Sequence, residues 1–128
     1  MLGKIPAPLR EAATTFEKYT VELAKAADFL LRKYGKSIAG RQHMLKRVAD
    51  MTIDLFVGLC VLSRATPLAE EGGDGGRQAV TIAHAFARQA KRRLANNVRR
   101  IERNEDEEMD RLAGFILDKG KYPWDIVK

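Results

Sequence analysis

The chain has a single cysteine, Cys60, in 128 residues, and no apolar run approaching the roughly 20 residues that a bilayer-spanning helix needs. One cysteine excludes an internal disulfide and the multi-cysteine zinc patterns, and it fits a reducing compartment. Met1-Leu2-Gly3-Lys4 lacks the apolar segment of a secretory signal, and the N-terminal region is not the Arg- and Ser-rich helix of a transit peptide. Sustained alternation of apolar and polar residues is absent, as is any repeat at fixed spacing, which argues against strands and solenoids. Proline is scarce at four residues, and between Pro8 and Pro67 there is none. What is present is 45% hydrophobic and 31% charged, too apolar for wholesale disorder and of a length suited to one core.

The balance of 23 Lys+Arg against 17 Asp+Glu gives a formal charge of +6, which favours acidic partners. The charges are segregated. Between Arg88 and Arg103 lie Arg88, Lys91, Arg92, Arg93, Arg99, Arg100 and Arg103 with one acid, Glu102; Glu105, Asp106, Glu107, Glu108 and Asp110 follow at once.

Periodicity predicts an all-α fold, an up-down antiparallel bundle of three long helices and one shorter C-terminal helix. The first helix spans about 8–34, with Leu9, Ala13, Phe16, Thr20, Leu23, Ala27, Leu30 and Tyr34 on a 3.5-residue seam and Gly35 as its terminator. The second spans 37–65, with Ile38, Leu45, Val48, Thr52, Leu55, Leu59 and Leu62 on the seam. Met44, Met51, Ile53, Phe56, Val57, Cys60 and Val61 fill its other faces, and apolar residues all round predict a buried helix. Thr66-Pro67 should end it, because the residue before proline is pushed out of the α region. A flexible glycine-rich loop over 67–76 then leads to a third helix over 77–103, whose buried stripe is Ile82, Phe86, Ala90, Leu94, Val98 and Ile101. Asn104 serves as its stop and as the N-cap of the fourth helix, 105–119, with Glu107 completing a capping box. That helix presents Met109, Leu112, Ala113, Ile116 and Leu117 on one face and should fold back beside the basic third helix.

Catalytic chemistry has little to work with. Cys60 sits in the most apolar segment, where burial makes a thiol inert. His43 and His84 lie on different helices with no Asp, Glu or Cys at metal-ligand spacing, so no metal is expected. The glycine run lacks the Lys-Ser/Thr of a phosphate loop and follows a helix instead of a strand. Asp50 and Asp54, four residues apart, put two carboxylates on one face of the apolar second helix, and buried charges need partners. Lys46, Arg47 or a basic residue of a neighbouring helix can supply them, so Lys46, Arg47, Asp50, Asp54 and Arg64 are the candidate interface and structural polar residues. The basic face of Arg88, Lys91, Arg92, Arg93, Arg99 and Arg100 could track phosphates, but no aromatic side chains interleave for stacking and no Trp or Phe borders it for membrane insertion. A solvated, salt-bridged face is the expectation, nucleic acid is disfavoured, and a membrane surface is a weak alternative.

The run Tyr34-Gly35-Lys36-Ser37-Ile38, then Gln42, then Leu45-Lys46-Arg47-Val48-Ala49-Asp50-Met51-Thr52-Ile53-Asp54-Leu55-Phe56, ending Val61-Leu62-Ser63-Arg64-Ala65, resembles the C-terminal helical domain of very-long-chain acyl-CoA dehydrogenase and of acyl-CoA dehydrogenase family member nine. The helix over Leu9–Tyr34 is similar to the one preceding this stretch in that family, and beyond Ala65 the likeness is in helix order more than in residues. The resemblance implies a non-catalytic accessory or docking domain of an FAD-dependent enzyme of fatty-acid β-oxidation. It implies that the flavin, the catalytic glutamate and the acyl-CoA cavity belong to an upstream dehydrogenase body, with no cofactor in this chain. The partners implied are that body or another subunit, within a homo-oligomer. A bacterial cytoplasmic version is expected; for a eukaryotic chain, the mitochondrial inner membrane or matrix.

Overall fold

The computed structural model describes residues 4–120; the Pro123-Trp124 tail lies outside them. Four helices and no strands occur among the described residues. A 3-10 turn, Ala7–Leu9, leads into α1, Arg10–Tyr34, which ends where Gly35 adopts φ +54 and donates its N–H to the Leu31 carbonyl. A second 3-10 stretch, Gly35–Gly40, occupies the region where the sequence places the start of the second helix, and α2 runs Gln42–Glu71. α3 follows as Gly73–Glu102 and α4 as Asp106–Lys119.

Residues 43–54 of α2 lie beside 93–100 of α3 in opposite directions, whereas 11–19 and then 22–29 of α1 meet 84–91 and then 98–103 of α3. The three long helices therefore run up, down, up, and α1 and α3 are parallel.

Two expectations fail at the α2–α3 corner. The second helix does not end at Ala65, and residues 67–76 are not a loop: Pro67 lies inside α2, which continues to Glu71, and Gly72 alone separates the helices. Pro67 removes one helical hydrogen bond near the end of α2, where few turns remain to be broken. Thr66 Oγ1 donates to the Leu62 carbonyl at 2.7 Å, and half-buried Ala69 packs on the core one turn later. Gly72 at φ +75 and Gly73 at φ +70 take the left-handed turn that a Cβ disfavours. Gly76 lets the backbones touch, since a Cβ there would lie 2.6 Å from the Leu68 carbonyl oxygen.

The core faces keep part of the predicted seams and shift the rest: Leu55 and Leu62 on α2 and Ala90, Leu94 and Ile101 on α3 are buried, with Ile38, Val48, Phe86 and Val98 packed against them. On α2 the buried stripe is Met44, Met51, Leu55, Gly58, Leu62 and Ala65, while Leu45 and Thr52 are exposed. On α3 it is Gly76, Ala83, Ala87, Ala90, Leu94 and Ile101, while Ile82 faces solvent. Small side chains on the inner face allow the helices to approach closely, so shape complementarity overrides residue-by-residue hydrophobicity. Phe16, Leu9, Met51, Leu62 and Leu94 are the large side chains fully shut from water, and Phe16 tilts against Phe86 with ring centroids 6.1 Å apart.

Candidate docking face

The predicted polar residues separate into pairs that staple helices together. Asp54, buried on α2, receives a bidentate guanidinium from α3: Arg93 Nη2 donates to Oδ1 at 2.8 Å, and Nε reaches both carboxylate oxygens at 3.1 Å. The Arg93 side chain keeps about half its exposure and lies over the Phe86 ring, so the pair is only partly desolvated. Its bond to Asp54 holds the Arg93 pKa above the ordinary guanidinium value. Asp50 takes the ammonium of Lys46 one turn back at 2.9 Å on the surface, a pair of small energetic weight. A groove of about 550 Å³ between α2 and α3 gathers Lys46, Arg47, Asp50, Asp54, Arg93 and Arg100; Arg64 lies several turns away, exposed and without an ion pair among the described residues.

Arg47 does something the sequence reading missed: it anchors α4. Its Nη1 and Nη2 donate to the two oxygens of Asp106 at 2.7 and 2.6 Å, with both side chains mostly buried, and His43 Nε2 lies 2.9 Å from Asp110 Oδ1. Asn104 links the helices by donating from Nδ2 to the Arg100 carbonyl and accepting the Asp106 N–H at Oδ1. The expected capping box does not form: Glu105, not Asn104, is the N-cap of α4, and its side chain makes no capping hydrogen bond. The α4 helix, however, does not fold back on α3, and no residue of it is buried. Asp106 pairs near the beginning of α2 and Asp110 a turn earlier still, so the rest of α4 runs past the end of the bundle.

Hydrogen bonding from Arg47 is the main cause that holds the Asp106 pKa below the ordinary carboxylate range, and it holds the Arg47 pKa above its usual value. A depressed carboxylate pKa stabilises the folded arrangement above the unfolded value of about 4, and the gain is lost as pH falls through the lower folded value. Acidification below about pH 4 is therefore expected to release α4 while the three-helix core persists. Amide exchange along 106–119 reads this directly, and Arg47→Gln should produce the same release at neutral pH. Equal protection of those amides in both proteins across that range would contradict the anchor.

The α2 helix is not buried all round. Its outer side leaves Ile53 59%, Phe56 67% and Val57 37% exposed, and Cys60, expected in the core, lies on the same open face. At 100° per residue these four side chains form one stripe along two turns. A helix needs a face-wide apolar stripe for its own bundle; α2 has that and a second one. The sequence signal was there, since apolar residues on every face exceed what a three-helix core can cover. On α4, Met109, Leu112, Phe115 and Leu117 are likewise exposed.

The basic face also departs from the expected salt-bridged state. Arg93 pairs with Asp54, Arg100 approaches Glu105 at 3.8 Å and Arg99 donates to Asn96, but Arg88, Lys91 and Arg92 have no ion pair among the described residues. The reason is the departure of α4, which takes its acids elsewhere. Among those residues no three His, Cys, Asp or Glu side chains come together as metal ligands, and no helix is long and apolar enough to cross a membrane.

The described residues thus form a small all-α bundle with helix-stapling ion pairs and a bare apolar stripe on its second long helix. The chain belongs to the family described as ACAD9/ACADV, C-terminal domain, whose model matches residues 7–122. It is 29% identical over 83 residues to the very long-chain specific acyl-CoA dehydrogenase, mitochondrial, of Rattus norvegicus, covering 65% of this chain and 13% of that protein. It is also 29% identical over 130 residues to proteins of Mycobacterium bovis and Mycobacterium tuberculosis named "Probable acyl-CoA dehydrogenase FadE10", covering 95% of this chain and 20% of theirs. The chain thus spans a fifth or less of the length of these curated relatives.

Proposed function

We propose that this chain is a non-catalytic accessory domain that docks, through the outer stripe of α2, on the dehydrogenase body of an acyl-CoA dehydrogenase acting in fatty-acid oxidation. The single observation that carries the reading is the exposure of Ile53, Phe56, Val57 and Cys60 side by side on α2. Its occupant is the body, because four fifths or more of each relative lies outside the matched part, and an apolar face needs an apolar partner. The polar rim of that face, Lys46, Asp50 and Arg64, sets orientation, while Asp54 and Arg47 hold α2 in register with α3 and α4. FAD and the acyl-CoA thioester belong to the body in this reading, and the dehydrogenase as a whole is a homo-oligomer in the bacterial cytoplasm.

The test is association of this chain with a separately produced, flavin-loaded dehydrogenase body, followed by light scattering and flavin absorbance in the same peak. Phe56→Glu and Ile53→Arg change exposed positions, so folding stability should move by no more than about 0.5 kcal/mol. Association should weaken by roughly 30-fold or more, the scale of losing about 2 kcal/mol at a binding hot spot. Wild-type complex formation that both variants leave unchanged would sink the assignment of the α2 stripe.

A further inference from the structure

We propose that the groove between α1 and α3 is a binding site for a phosphate-bearing ligand. The groove encloses about 470 Å³, within the range of small-molecule sites. Lys18 enters it from α1, and Arg88, Lys91 and His84 enter it from α3, with Glu11 the one acid among its lining residues. Lys18, Arg88 and Lys91 have no ion pair among the described residues, although Lys46, Arg47, Arg77, Arg93 and Arg111 all find carboxylates. Three cations against one carboxylate leave a formal charge of +2 with the imidazole neutral, which matches the charge of about −2 on a phosphomonoester.

The surroundings are arranged for a small anion. Ala12 and Ala87, both buried, give the groove a floor of methyl groups that leaves the space above it open. Lys18 is held over the Tyr19 ring, its ammonium 5.2 Å from the ring centre. His84 is fixed by a 2.6 Å hydrogen bond between Nε2 and the Pro8 carbonyl; that nitrogen is the donor, and Nδ1 remains uncommitted. The planar guanidinium of Arg88 supplies the forked donor geometry that phosphate oxygens accept.

A compact ligand fits better than a polymer. Further along the same cleft the lining becomes mixed, with Glu22 and Glu102 beside Lys25, Arg99 and Arg103, and Lys25 sits 3.9 Å from Glu22. Those acids interrupt the positive track that a nucleic-acid backbone requires. The groove lies between the two helices on the side away from the outer face of α2, so its occupancy is independent of docking through Ile53 and Phe56.

The experiment is calorimetric titration of the full chain with inorganic pyrophosphate, alongside co-sedimentation with vesicles containing phosphatidylglycerol. Saturable binding is expected, weakened at least fivefold by Arg88→Gln or Lys91→Gln and abolished by the pair, with Arg111→Gln on α4 as an unaffected control. The same residue dependence on vesicles with no response to pyrophosphate would assign the phosphate to a lipid headgroup and still place it in this groove. Absence of saturable binding to either probe, or equal weakening by Arg111→Gln, would overturn the site. So would tighter binding of a single-stranded oligonucleotide that depends on Arg99 and Arg103.

Discussion

Gly58→Ala is expected to destabilise the chain by about 1–3 kcal/mol, even though alanine is the better helix former by about 1 kcal/mol. A Cβ at position 58 would lie 2.5, 2.6 and 2.8 Å from Cε1, Cζ and Cδ1 of Phe16, and the Phe16 ring is 1% exposed with Phe86 beside it. The ring has no room to move away in a core packed at crystal-like density, so the clash is relieved only by separating α1 from α2. At this chain length the thermal midpoint should fall by roughly 5–10 °C. A double-mutant cycle sharpens the expectation. Phe16→Leu removes the ring atoms that meet the new methyl, so Gly58→Ala in that background should cost less by about 1 kcal/mol or more. Additive losses in chemical denaturation would show that the contact does not govern this position.

The second large effect lies at the helical corner, where two neighbouring glycines should respond with opposite signs. Gly76→Ala places its methyl 2.6 Å from the Leu68 carbonyl oxygen, and a backbone atom cannot rotate out of the way as a side chain can. Prising α2 from α3 there should cost about 1–3 kcal/mol, the usual penalty of overpacking. Gly75, one residue earlier in the same helix, has nothing within 4 Å of its ideal Cβ and an ordinary helical φ. Gly75→Ala should therefore stabilise by about 0.4–1 kcal/mol, because it removes freedom from the unfolded chain alone. Thermal melts of the two variants decide the matter. If residues 67–76 were the flexible loop that their composition suggests, both substitutions would be nearly neutral.

The contrast between these glycines shows where legibility ends. Helix existence and order were readable, since 3.5-residue seams, the absence of proline between Pro8 and Pro67, and Gly35 and Asn104 as punctuation act within a turn or two of the chain. The same local rules misplaced the end of α2, because Pro67 is judged locally as a breaker while Ala69 on the core and the Leu68–Gly76 approach are tertiary. Asp50 and Asp54 look alike at four-residue spacing. Their different partners, Lys46 on the same helix and Arg93 on the next, follow from helix rotation. Family membership was also readable, carried by the Lys46-Arg47-Val48-Ala49-Asp50 and Val61-Leu62-Ser63-Arg64-Ala65 blocks, and the family match over 7–122 agrees with it.

By itself the sequence determined an all-α bundle of four helices, the segregation of its charge and the family to which it belongs, because each rests on residue type and short-range periodicity. Only the tertiary structure decided which apolar stripe of α2 faces inward, that Cys60 lies on the open side, that Arg47 holds α4 through Asp106, and that Lys18 joins Arg88 and Lys91 in one groove. The physical reason is that a helix with apolar residues on more than one face has several nearly equivalent ways to turn. The choice among them is made by the close approach that alanine and glycine permit between neighbouring helices, a property of pairs of surfaces that no single segment contains.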